Sequence, residues 1–168
     1  MAKTFSIDKG LSSTWQAQFV VASGGAATIA RGTPTKSTEA DATATGALIP
    51  MVDGDGSVTA MRFGGIAKST STDTASVAGV VDVWVPVPGL LYRGFAKTST
   101  AADTQSELNV LMRKRVVFDL TSSNWTVDTA AADALVNCVV IMGGIPQTSE
   151  ILFMYAPKGT ILDTSTSM

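Results

Sequence analysis

Residues 81–87 read Val-Asp-Val-Trp-Val-Pro-Val, with a valine at every second position. Successive side chains of a β-strand point to opposite faces, so Val81, Val83, Val85 and Val87 fall on one side and Asp82, Trp84 and Pro86 on the other. A helix would scatter the same valines around its circumference. Pro86 and Pro88 remove two ladder donors, and Gly89 supplies the backbone freedom for a turn, so this strand ends at a sheet edge or corner and returns through residues 90–95. A second apolar block, residues 61–67, precedes it. The two are joined by residues 68–78, whose Ser, Thr, Ala and Asp content buries too little apolar surface to pack, and this loop is expected on the surface.

The same punctuation runs along the rest of the chain. Trp15, Ala17, Phe19 and Val21 share one face of a strand over 15–21, and Ser23-Gly24-Gly25 turns it toward a hairpin partner at 27–31. Residues 32–46 carry no large apolar side chain and read as a long loop. Pro50 makes 47–52 an edge strand, and Asp53-Gly54-Asp55-Gly56 is a turn. Residues 107–112 read as a helical turn or a bend. Residues 116–120 and 125–127 flank Thr121-Ser122-Ser123-Asn124 as a hairpin, after which Asp128 is placed to cap a short helix over 129–133. The apolar run 135–142 reads as a fully buried strand paired with 150–155, and Gly64-Gly65 and Gly143-Gly144 read as strand ends. The pattern predicts about nine to eleven short strands with no sustained helical period, an all-β sandwich or barrel. It forms a single domain over residues 15–162, with long Thr/Ser/Ala-rich loops, an extended N-terminal arm at 1–14 and a polar tail at 163–168.

Chemistry is harder to find. Histidine is absent from the 168 residues, which removes Ser-His and Cys-His nucleophile systems and the commonest transition-metal ligand. The one cysteine, Cys138, has no disulfide partner, suits a reducing cytoplasm, and sits in an apolar run as a core thiol. Asp41, Asp53, Asp55, Asp73 and Asp103 fall in turns or polar loops, and the Asp-Gly pairs at 53–56 lack the further ligand of a calcium loop. Neither glycine pair sits in the strand-to-helix frame of a phosphate loop. No catalytic, cofactor-binding or metal-binding residues are therefore expected.

Partners are constrained by charge. Twelve basic and fourteen acidic residues leave a net charge of −2, with no excess to displace counterions from nucleic acid. Arg113-Lys114-Arg115 is the one basic cluster, and a strand would send its members to alternating faces. The longest apolar run, 139–145, is far short of the roughly twenty residues of a membrane span, and the N-terminus lacks the apolar core of a secretory signal. Only 15% of residues are charged, against about 25% in an ordinary domain, and such near-neutral surfaces favour association. Trp84, on the face opposite the valine row, either fills a second core layer, the favoured reading, or anchors a subunit contact, and Trp15 poses the same choice.

Gly64-Gly65-Ile66-Ala67, the polar loop after it, and residues 81–92 with their Pro-Gly turn resemble the head decoration, or cement, proteins of tailed bacteriophages. Phe118-Asp119-Leu120, the short turn, Trp125-Thr126-Val127-Asp128 and residues 139–143 fit the same pattern, so the resemblance runs over 46–162. It implies a non-enzymatic virion protein that folds in the host cytoplasm and binds the major capsid protein on the outer capsid surface. As a homo-oligomer, a dimer or a trimer, it would bridge capsomers and stabilise the expanded shell. Phe5 and Ile7 would then touch the capsid or a neighbouring subunit, and deleting residues 2–13 is expected to abolish capsid occupancy with the fold intact. The alternative is a carbohydrate- or receptor-binding β module of a virion fibre or cell surface. That module needs an exposed aromatic platform, for which Trp15, Trp84, Tyr92 and Trp125 are the candidates. A hydrolase using loop carboxylates ranks last.

Overall fold

The structure is a computed structural model that describes residues 5–9, 16–21, 28–38, 47–53, 55, 61–74, 76–87, 89–137 and 139–156. It is all-β, as expected. Among the described residues thirteen strands and one short α-helix follow in chain order: β1 (Ser6–Lys9), β2 (Gln16–Val20), β3 (Thr28–Ile29), β4 (Pro34–Thr38), β5 (Ile49–Pro50), β6 (Met61–Ala67), β7 (Ser71–Thr72), β8 (Val80–Trp84), β9 (Leu91–Phe95), α1 (Gln105–Leu111), β10 (Arg115–Thr121), β11 (Asn124–Asp128), β12 (Val139–Ile145) and β13 (Glu150–Tyr155).

They form a six-stranded sheet, β1-β9-β13-β12-β10-β11, a five-stranded sheet, β2-β8-β6-β4-β5, and a ribbon, β3-β7. The larger sheet curls until β11 meets the end of β9 at a parallel bridge, Ala96 to Val127. In the smaller sheet Val21 meets Leu48 in the same way. Both read as half-barrels rather than flat layers. The chain passes from one sheet to the other after β8, where Gly89 adopts φ 84° and the Leu90 amide donates to the Val87 carbonyl at 3.2 Å. The turn at Gly89 is the corner that the local composition implies.

Strand β6 of the five-stranded sheet is buried on both faces, and adjacent residues show it. Ile66 packs into the main core with Phe63, Met51 and residues of the six-stranded sheet. Ala67, next in the strand, packs with Val81, Val83, Val85, Leu48, Val21 and Ile29 in a second, smaller core. The valine row of 81–85 thus lies under the β3-β7 ribbon, while half-buried Trp84 packs on the main core. In the main core the rings of Phe5, Phe63, Tyr92, Phe118, Trp125, Phe153 and Tyr155 interlock. Phe63 stacks on Tyr155 with centroids 3.5 Å apart, and Phe118 lies edge-on to Phe153 at 5.8 Å. Such pairs add to area burial through their complementary quadrupoles.

Both glycine pairs lie inside strands rather than at their ends. Thr35 of β4 pairs with Gly65 and Lys36 with Phe63, so Gly64 is an extra residue and β6 is bulged there. Gly65 has φ 131°, and a Cβ on it would stand 2.5 Å from the Trp84 carbonyl oxygen. In β12, Ile141 pairs with Phe153 and Gly143 with Leu152, which leaves Met142 unpaired and half-exposed. Each bulge shifts the side-chain phase by one residue, an effect that composition does not announce.

Other expectations change for equally specific reasons. Residues 5–9 are not a free arm: β1 pairs with β9, and Phe5 is 2% exposed among Phe118 and Phe153, with centroids at 4.9 and 5.2 Å. Gly94 makes room for that ring, since a Cβ there would collide with it. Strand β2 pairs with β8, not with residues 27–31, because its apolar face covers the same core as the valine row. Within the expected loop 32–46, residues 34–38 form β4, where buried Thr35 satisfies its hydroxyl by donating to the Gly65 carbonyl at 2.9 Å. The 68–78 loop is not wholly superficial: Ser71 and Asp73 are buried, and the Asp73 carboxylate accepts the Gly79 amide at 3.2 Å. Residues 129–133 form a turn, with the Asp128 carboxylate accepting from the Ala130 amide at 3.0 Å. Leu135 and Val136 are exposed, since Asn137 turns the chain there by donating to the Arg115 and Ala132 carbonyls. Cys138 lies outside the described residues.

Two expected outcomes follow from this packing. Phe5→Ala should lower stability by about 3–4 kcal/mol in chemical denaturation, the usual cost of emptying an aromatic site in a core. The β10-β11 hairpin turns through Ser122 and Ser123, with φ 50° and 64°, the left-handed pair of a type I′ turn. Ser123→Gly should therefore raise the midpoint, with a gain of about 1 kcal/mol.

Candidate functional site

The main polar cluster is built where the six-stranded sheet closes. The Lys97 amide donates to the Val127 carbonyl at 2.9 Å, just past the Ala96–Val127 bridge. This holds the Lys97 side chain across β10 and β11, whose register sets Asp119 opposite Thr126. Lys97 Nζ lies 2.6 Å from Asp119 Oδ1 and 3.5 Å from Asp128 Oδ2. Asp119 Oδ2 also accepts from the hydroxyls of Thr121 at 2.8 Å and Thr126 at 3.3 Å. Lys97, Thr98, Asp119, Thr121, Ser122, Asn124 and Thr126 line a cleft of about 460 Å³.

Electrostatics fix what this cluster can do. Asp119 is 4% exposed. Burial alone would push its carboxyl up, but the hydrogen bonds from Lys97, Thr121 and Thr126 and the Lys97 charge outweigh it and hold the group below its ordinary value. The bond to Asp119, and then the charge of Asp128, push the Lys97 ammonium up. A carboxyl held ionised is a poor general acid, and an amine held protonated is a poor nucleophile. The arrangement is a clamp between strands.

The loop carboxylates Asp53, Asp55 and Asp103 serve turns and a helix start, and Asp41 lies outside the described residues. Asp53 Oδ1 accepts the Leu120 amide at 2.9 Å, and the Asp55 carbonyl accepts the Phe118 amide at 2.9 Å, so this turn of the smaller sheet stitches onto β10 of the larger. The Asp55 carboxylate accepts from Val52 N and pairs with Lys36 Nζ at 2.7 Å. Asp103 lies beside Glu107, whose side chain completes a capping box with Thr104 at the start of α1. No group of three or more His, Cys, Asp or Glu is placed to hold a metal ion among the described residues.

The structure scatters the interface candidates. Phe5 is core. Ile7 is in β1, paired with Tyr92, and Trp15 lies outside the described residues. Trp84 is half-buried on the main core, and its carbonyl accepts from the buried Tyr92 hydroxyl at 3.0 Å. Tyr92 and Trp125 are buried, so neither can join an aromatic platform. Deleting residues 2–13 would strip Phe5 from the core, and the fold would not survive that deletion intact as expected.

The residues that sequence reasoning missed are Asp119, Lys97 and Asp128. The signal was present: a carboxylate amid Val116, Val117, Phe118 and Leu120 requires a counterion if the strand is buried. The clamp predicts a pH dependence. Asp119 has its pKa lowered on folding, so its contribution is present above the unfolded value near 4 and is lost as pH falls through the folded value. Asp119→Asn should cost about 2 kcal/mol at neutral pH and flatten the fall in stability below about pH 4, measured by urea unfolding across pH.

The chain matches no protein-family model, no curated protein and no solved structure.

Proposed function

We propose that this chain is a non-enzymatic structural protein of a bacteriophage virion that binds the outer surface of the capsid and stabilises the expanded shell by bridging capsomers. The resemblance over residues 46–162 supports the assignment to the virion. The observation that carries the non-enzymatic part is the state of the polar cluster: Lys97, Asp119 and Asp128 are held charged and mutually satisfied, which suits a fastener and not a reaction. Nine large apolar side chains, six valines, two methionines and a leucine, are exposed among the described residues, which suits a surface for contact. With Tyr92 and Trp125 in the core, no aromatic platform among the described residues favours the carbohydrate-binding reading.

The mechanism is linkage. A protein that binds only the expanded lattice stabilises it by RT ln(1 + [L]/Kd) per site, about 2.7 kcal/mol at a hundredfold excess over Kd. Repeated over a symmetric shell, modest binding resists internal pressure. Purified protein should co-sediment with expanded capsids of its phage and not with unexpanded proheads. Absence from both pellets, or equal occupancy of the two, overturns the reading.

A further inference from the structure

The six-stranded sheet closes along a seam where the end of β9 meets β11, and the backbone does little of the closing. Among the described residues it supplies one bridge, Ala96 to Val127, and the Lys97 amide donating to the Val127 carbonyl at 2.9 Å. Both strands are held on their other flanks. β11 pairs with β10 from Val117–Asp128 to Thr121–Asn124, β9 lies between β1 and β13, and the Ala96 amide donates to the Ser149 carbonyl at 3.1 Å. The Val127 carbonyl also accepts from the Thr129 amide at 3.0 Å. It keeps that donor when Lys97 leaves, so parting the seam does not orphan a buried acceptor. What holds the seam shut beyond this is the Lys97 side chain, which reaches Asp119 on β10 and Asp128 on β11.

We propose that Lys97, Asp119 and Asp128 form an acid-released latch, in which protonation of Asp119 frees Lys97 and parts the seam while both half-barrels stay assembled. The hydrogen bonds make the release direct. The Thr121 and Thr126 hydroxyls both donate to Asp119 Oδ2, which leaves Oδ1 to take the proton, and Oδ1 is the atom that Lys97 Nζ approaches to 2.6 Å. The new O–H faces an ammonium, donor against donor. Asp128 is the weaker hold: its Oδ2 lies 3.5 Å from Nζ, and its Oδ1 accepts the Ala130 amide at 3.0 Å. The other charges packed nearby are committed elsewhere. Asp53 accepts the Leu120 amide, Asp55 pairs with Lys36, Arg93 of β9 pairs with Glu150 of β13, and Asp103 bonds Glu107 at the start of α1. Because folding lowers the Asp119 pKa, the latch is closed above the unfolded value near 4 and opens as pH falls through the lower, folded value.

Amide hydrogen exchange of the whole chain, followed by NMR from about pH 6 to about pH 2 and corrected for intrinsic rates, tests this. On acidification the amide of residue 97 should lose protection by about tenfold or more, while the Phe118 and Ile141 amides, which donate to the Asp55 and Lys114 carbonyls, keep theirs. Lys97→Met should leave the amide at 97 poorly protected across the whole range, with Phe118 and Ile141 protected as in the wild type. Asp119→Asn should do the same at neutral pH. Simultaneous loss at 97, 118 and 141 in the wild type means that acid unfolds the whole domain, and it overturns the latch. So does an amide at 97 that stays protected at the lowest pH, or one protected in the folded variants as in the wild type. If a variant fails to fold, the wild-type series decides alone.

Discussion

One strand has to serve two cores, and much of the architecture follows from that demand. β6 sends Phe63 and Ile66 into the aromatic interior and Ala67 into the valine layer on its other face. Strict alternation would put Phe63 and Ile66, three residues apart, on opposite sides. The extra residue at Gly64-Gly65 resets the phase, and only glycine fits, because φ is positive at 65 and the Trp84 carbonyl passes too close for a Cβ. With that accommodation β6 is covered on both faces, by the main core on one side and by the smaller core, with Ile29 of β3, on the other. Stitching by Asp53 and Asp55 to β10 then joins the two half-barrels along a second line.

What the sequence reveals depends on how local the cause is. The valine alternation at 81–85, the turn at Gly89, the edge position of Pro50 and the 116–127 hairpin each follow from steric or hydrogen-bonding rules within a few residues, and the structure has them, although β8 ends at Trp84, short of the strand expected to Val87. The strand at 34–38 is hidden because its buried member is a threonine whose hydroxyl is satisfied by Gly65, a partner thirty residues away. Phe5 looks like part of an arm because its local neighbourhood is polar, whereas the pocket that receives it is made by Gly94, Phe118 and Phe153. The run at 135–142 looks uniformly buried until Asn137 is seen to spend its amide on two carbonyls and turn the chain.

The polar clamp and the exposed side of α1 differ in legibility for the same reason. Asp119 inside a hydrophobic strand carries its own warning, but its counterion, Lys97, lies just past the end of β9, and that pairing depends on the sheet curling far enough for Ala96 to meet Val127. Thr104 and Glu107 mark the start of α1 by a local rule, the capping box. Which side of that helix stays in solvent is decided by Leu108 and Leu111 packing into the main core, and so no local rule points to Val110.

The burial of Phe5 bears on how the chain is made. Its ring is enclosed by side chains from β10 and β13, and β1 adds to β9 on the flank opposite β13. An early part of the chain must wait for residues around 153 before its site exists. Contacts of such sequence separation carry a large loop-closure entropy, which slows folding relative to a fold with local pairing. During synthesis the aromatic interior cannot close until the last described strand has left the ribosome, and until then its phenylalanines and tyrosines remain open to neighbours.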